Sequence, residues 1–71
     1  MRKKANELFN SVIGKDCYIK KVGSRGMFVK PVRVRVLDNM PTLYFEYRTY
    51  PNTYGFIKYT DLSIIKVVEN D

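Results

Sequence analysis

The sequence predicts a mainly β domain. Five short strands should form a small, strongly bent barrel, with one short helix before them and a tight helical turn ahead of the last strand. Three observations lead there. Val, Ile, Tyr and Phe, which favour strands, are plentiful. Val32, Val34 and Val36 alternate with arginines, and Leu43, Phe45 and Tyr47 recur at the same period of two. Helical spacing occurs in only one segment, near the start. The 71 residues suffice for a single domain, 1–71, with a helix over about 4–13 and a barrel over about 15–69. A chain of this size buries only about 60% of the surface it exposes when unfolded, so nearly all its apolar residues must serve one core.

The helix is predicted from Ala5, Leu8, Phe9, Val12 and Ile13, which fall at i, i+3, i+4, i+7 and i+8 and make one apolar stripe. Gly14 follows and can supply the left-handed residue that ends a helix. Two or three turns are not stable alone in water, so the stripe must dock. The expected dock is an open end of the domain's own core. The rival is a partner or a lipid surface, which Arg2, Lys3 and Lys4 would suit.

Residues 16–22 read as the first strand, and Gly23-Ser24-Arg25-Gly26 as a loop. The second strand covers about 27–37. Pro31 inside it marks an edge, a bulge or a sharp bend, because proline cannot donate to a ladder. Val32, Val34 and Val36 alternate with Arg33 and Arg35, the pattern of a half-buried strand. Asp38-Asn39-Met40-Pro41 is a turn, and 42–50 is the third strand, with Leu43, Phe45 and Tyr47 on one face. A second turn over 51–55 leads to the fourth strand, 56–59. Thr60-Asp61-Leu62 is the tight helical turn, and 63–68 the last strand.

A turn centred on Asn39-Met40 would pair Val36 with Leu43, Val34 with Phe45 and Val32 with Tyr47 on the inner face. It would place Arg35 opposite Tyr44 and Arg33 opposite Glu46 on the outer one. Pairing Tyr47 with Ile57 would put Lys58 on the other side of Glu46, so that this acid sits between two cations. Opposite charges paired across strands contribute about 0.2–1 kcal/mol each.

The stretch Gly55-Phe56-Ile57-Lys58-Tyr59-Thr60-Asp61-Leu62 resembles the end of Src-homology-3-like barrels. There a glycine and an aromatic open the fourth strand, and a helical turn ending in an apolar residue leads into the fifth. The resemblance covers about ten residues and implies a fold, which does not fix a function. The chain's length and the run Gly14-Lys15-Asp16-Cys17-Tyr18-Ile19-Lys20-Lys21 are also similar to small prophage proteins of Bacillus. That likeness implies a phage-derived protein with five strands and little helix, and it brings no residue role with it.

Net charge is +6, unevenly placed. Residues 1–35 hold ten Lys/Arg against Glu7 and Asp16, whereas 36–71 hold Arg48, Lys58 and Lys66 against five acids. Such asymmetry points to an acidic partner, nucleic acid or an anionic protein, although it also serves solubility. Lys20, Lys21, Arg25, Lys30, Arg33 and Arg35 are the candidate phosphate contacts. Arginines on a rigid sheet can hold phosphates while an aromatic such as Tyr44 stacks a base. The competing reading is a charge ladder, with Glu46 neutralising Arg33 and Lys58 while Arg35 rests on Tyr44. A second candidate surface is aromatic: Tyr44, Tyr50, Tyr54, Phe56 and Tyr59. Seven aromatics lie between Leu43 and Tyr59, too many for so small an interior. Exposed Tyr44, Tyr50, Tyr54 and Tyr59 would suit docking on a host or phage protein, or they pack over the barrel ends.

Catalysis is not expected. Histidine is absent, and the lone Cys17 excludes an internal disulfide, a Cys/His metal site and a Cys–His pair. Cys17 reads as a small buried apolar residue. The acids approach no metal or acid–base motif, and the glycines form no phosphate loop. No cofactor, metal or small-molecule substrate is expected, and the chain should act as a monomer. Met1-Arg2-Lys3-Lys4 is not followed by the apolar run of about 7–15 residues of a signal peptide. No segment approaches the ~20 apolar residues of a membrane span. A cytoplasmic location is expected.

Overall fold

The computed structural model describes residues 2–68. Met1 and the expected end of the barrel at Glu69 lie outside the described residues. Helix α1 (Arg2–Ser11) is followed by strands β1 (Cys17–Lys21), β2 (Gly26–Leu37), β3 (Met40–Tyr47) and β4 (Tyr54–Lys58). A 3-10 turn (Tyr59–Asp61) then leads into β5 (Leu62–Val67). The five strands make one sheet in the order β4-β3-β2-β1-β5, with every neighbouring pair antiparallel. All five expected strands, the helix and the helical turn are therefore present. The expected barrel is not closed by strand pairing: β4 and β5 each find a ladder partner on one side only.

The helix starts nearer the chain terminus than expected and tightens at its end. Val12 and Ile13 donate to the carbonyls three residues back, Phe9 and Asn10. Gly14 then turns the chain at φ +80°, a conformation that costs residues with a side chain about 1–2 kcal/mol. Its N–H donates to the Pro31 carbonyl at 2.9 Å, which fastens the helix end to β2. Ala5, Phe9 and Val12 of the stripe are buried, and Leu8 and Ile13 half-buried. The stripe thus covers the domain's own core.

That core is a single cluster of Phe9, Val12, Cys17, Ile19, Val29, Leu43, Phe45 and Ile57. Met27, Val34, Tyr47, Leu62 and Ile65 pack against it. Cys17 and Ile19 of β1, Met27 and Val29 of β2, and Leu43, Phe45 and Tyr47 of β3 are alternate residues, as a sheet with one covered face requires. Cys17 is fully buried within the cluster, as expected of a small hydrophobe. Desolvation pushes its thiol pKa up; Asp16 adds to the rise and Lys15 partly opposes it.

The registers differ from those expected. Asp38 and Asn39 both have positive φ, 51° and 63°, and form a two-residue hairpin turn closed by Leu37 opposite Met40. Positive φ at both central positions matches the twist of the flanking strands, and Asp and Asn tolerate it. Pro41 is consequently not a turn residue. It is buried in β3 opposite Val36, beyond the last β3–β4 pair, Thr42 with Lys58. Val34 therefore lies opposite Leu43, Arg33 opposite Tyr44 and Arg35 opposite Thr42. The register then shifts between Pro31 and Arg33, leaving Val32 as the extra residue of a bulge. The bulge accommodates the proline foreseen there, and beyond it Pro31 faces Phe45, Lys30 faces Glu46 and Val29 faces Tyr47. Only Val34 of the three valines joins the core. Val32 on the bulge is 44% exposed and Val36 near the hairpin tip 56%. On the other side of β3, Ile57 pairs with Leu43 instead of Tyr47, and Tyr54 instead of Lys58 faces Glu46.

Candidate functional site

The face of the sheet turned away from the core gathers the candidate residues Lys30, Arg33, Arg35, Tyr44 and Tyr54. Ile57 is buried, so its β4 neighbours Phe56 and Lys58 point to the opposite face. Three rows cross this face of β2, β3 and β4: Lys30, Glu46 and Tyr54; then Arg33, Tyr44 and Phe56; then Arg35, Thr42 and Lys58, of which Thr42 is fully buried with its hydroxyl donating to the Met40 carbonyl.

The middle row is in contact throughout. The Arg33 guanidinium carbon lies 5.4 Å from the Tyr44 ring centroid, a cation–π distance. Tyr44 in turn lies 5.8 Å from Phe56, centroid to centroid, with the rings tilted 37°. Arg33 thus takes the place expected of Arg35, because the hairpin is two residues tighter. Glu46 is correspondingly not held between Arg33 and Lys58. Its Oε2 accepts the backbone N–H of Asn52 at 3.2 Å and so braces the 48–53 loop. No ion pair joins Lys30, Arg33, Arg35 or Lys58 to another described residue, so the neutralising charge ladder is not formed.

Arg48, just past the end of β3, is bound elsewhere. Its Nε lies 3.3 Å from Asp16 Oδ1, and its N–H donates to the Phe28 carbonyl at 3.0 Å. Both partners are part-exposed, which limits the ion pair to about 0–1 kcal/mol.

The first-loop cations form a separate group. Lys20 lies opposite Gly26 on β1 and β2, Lys21 ends β1 and Arg25 is exposed in the loop. The row Lys66, Tyr18 and Phe28 separates them from Lys30. Gly26 and Lys30 are four residues apart on β2, about 13 Å. The Tyr18 ring lies directly over Gly26, where a Cβ would collide with it, and meets Phe28 edge-on at 5.3 Å.

The aromatics divide in the same way. Tyr50 and Tyr54 are 64% and 63% exposed, and Phe56 is 58% exposed. Tyr59 is committed in part to the fold, since its ring meets Phe9 edge-on at 5.7 Å beneath the 3-10 turn. The sequence reading counts Phe56 among the aromatics without placing it on the outer face beside Tyr44, and it gives no role to the Tyr18–Phe28 pair. The i, i+2, i+4 spacing of Tyr54, Phe56 and Lys58 around buried Ile57 is the signal that reveals the first.

Elsewhere, an open groove lined by Leu8, Tyr59, Leu62, Ser63, Ile64 and Ile65 runs beside β5. Among the described residues no three His, Cys, Asp or Glu side chains come together as metal ligands. No described helix is long and apolar enough to cross a membrane. No family model, curated protein or solved structure matches the chain.

Proposed function

We propose that the protein is a small non-enzymatic module that binds nucleic acid on the outer face of β2, β3 and β4. The observation that carries this reading is the row Arg33–Tyr44–Phe56, flanked by Arg35 and Lys58. Cations without acidic partners hold phosphates, and aromatics between them offer stacking surface that every base can use. A rigid sheet keeps these groups in place. The loop cations Lys20, Lys21 and Arg25 are outlying phosphate contacts on the same reading. A strand order of β4-β3-β2-β1-β5, a long β2 bent at its bulge, and a 3-10 turn before β5 support a Src-homology-3-like arrangement. On this reading the module is phage-derived and works in the host cytoplasm.

The test is titration of labelled oligonucleotides across a salt series. Three phosphate contacts from Arg33, Arg35 and Lys58 give a log–log slope of about −2 to −3, at roughly 0.7–0.9 per contact. Changing these three residues together to Gln should remove most of the slope without lowering the melting temperature. The Lys20/Lys21/Arg25 triple should change it less. Affinity that ignores salt, or an unaltered triple variant, rejects the reading. It would favour protein docking through exposed Tyr50 and Tyr54, which depends little on salt.

A further inference from the structure

Strand β4 is an edge of the sheet, and its outward side chains are Tyr54, Phe56 and Lys58 in succession. Successive outward residues on a strand stand about 6.6 Å apart. Both rings are more than half exposed. Behind them, Tyr44 is capped by the Arg33 guanidinium and leans on Phe56, so it supports the platform more than it offers a free face. The 5.8 Å between Tyr44 and Phe56 is too short to admit a base between them. Insertion needs two carbon contact distances, about 7 Å. Bases must lie on the rings from outside.

The spacing selects the ligand. In a stacked helix neighbouring bases rise about 3.4 Å. Two platforms about 6.6 Å apart match bases pulled away from each other. A duplex keeps its base faces hidden and cannot use the rings at all. Charge adds direction. Lys58 continues the line beyond Phe56, with Arg35 in the same row two strands behind, about 10 Å away. At the other end Tyr54 faces the acid Glu46, which offsets Lys30 beyond it in the row, whereas Lys58 and Arg35 have no acid in theirs. Phosphates therefore gather at the Lys58 end.

We propose that Tyr54, Phe56 and Lys58 of β4 form a two-base platform for unpaired single strands, with Phe56 the principal stacking residue. This rests on the nucleic-acid reading above and narrows it to single-stranded ligands. The intact protein is titrated by fluorescence anisotropy with a labelled mixed-sequence 10-mer, as DNA and as RNA. The same 10-mers annealed to their complements give the duplex arm. The single strand should bind at least tenfold more tightly than its duplex. Phe56→Leu keeps an apolar side chain at this exposed site and should weaken single-strand binding about five- to 150-fold, the worth of one stacked base. It should leave duplex affinity unchanged, and Phe56→Tyr should restore binding. Equal affinity for the two forms, with Phe56→Leu inert, overturns the platform while the basic surface stands. Binding of neither form overturns both. A difference between the DNA and RNA arms shows which sugar the platform accepts, provided Phe56→Leu lowers the tighter one; if it does not, the platform is wrong.

Discussion

Replacing Phe9 by alanine removes the largest side chain with which α1 reaches the core. Phe9 is fully buried, belongs to the single core cluster and meets Tyr59 edge-on at 5.7 Å. Neighbouring Ala5 and Val12 cannot collapse into the gap from a helix fixed at its end by Gly14 and Pro31. Phe→Ala at such sites costs about 3–5 kcal/mol. At about 0.05–0.15 kcal/mol per residue, the whole domain is worth roughly 4–11 kcal/mol. The variant should therefore lose between about a quarter of its stability and all of it. Urea unfolding followed by far-ultraviolet circular dichroism reads this directly. The midpoint should fall steeply while the slope with denaturant stays the same. Leu8→Ala, at a half-buried position beside the β5 groove, should cost less. An unchanged midpoint for Phe9→Ala would refute the reasoning. It would mean that α1 unfolds apart from the sheet and that its stripe serves a partner.

Three further outcomes concern Cys17, Gly26 and Asn39. Cys17 should resist thiol reagents in the native state, and its raised pKa should make the fold less stable as pH climbs above the unfolded thiol's value of about 8.5. The sign follows from proton binding, since the folded thiol keeps its proton where the unfolded one has lost it. Cys17→Ala should remove that part of the alkaline loss in denaturant titrations at pH 7 and pH 9.5. Gly26→Ala should destabilise by more than the usual surface change of about 0.5 kcal/mol, because the new methyl meets the Tyr18 ring, and adding Tyr18→Ala should relieve it in a double-mutant cycle. Asn39→Val should cost about 1–2 kcal/mol in the same unfolding assay, because a β-branched residue is forced to φ 63°.

Much of the fold was legible because period and punctuation agree. The stripe from Ala5 to Ile13 ended by Gly14, the alternation around Val34, and the proline in β2 each name a local structure with a physical cause. The register was not legible, and the reason is specific. Pro41 resembles a turn residue, so the hairpin was read as four residues wide, whereas Asp38 and Asn39 can both adopt positive φ and close it in two. The tighter hairpin moves the pairs between Arg33 and Leu37 by two positions, which preserves faces and changes partners; past the bulge the shift is three, and the β3–β4 register differs separately by four. Leu43 and Phe45 therefore still point inward, while Glu46 lost both expected cations and Arg33 replaced Arg35 over Tyr44. The bulge at Val32 compounded this, since no sequence pattern fixes which residue near a proline is left unpaired. For the same reason the exposed valines were misplaced: Val36 lies at a hairpin tip that projects past β4. At the candidate site the sequence lists the cations but not their division into two groups, which depends on the row Lys66, Tyr18 and Phe28 between them, a feature of strand order.

The central claim is that the outer face of β2, β3 and β4 is the binding surface. Amide and aromatic resonances of the labelled protein, followed while a single-stranded 10-mer is added at low salt, test it most directly. Perturbations should concentrate on Arg33, Arg35, Tyr44, Phe56 and Lys58, with Tyr54 ring signals moving as bases stack. Smaller shifts should reach the loop from Lys20 to Arg25. Shifts confined to that loop, or to Leu8, Ile64 and Ile65 around the β5 groove, would contradict the account, as would a spectrum that does not move.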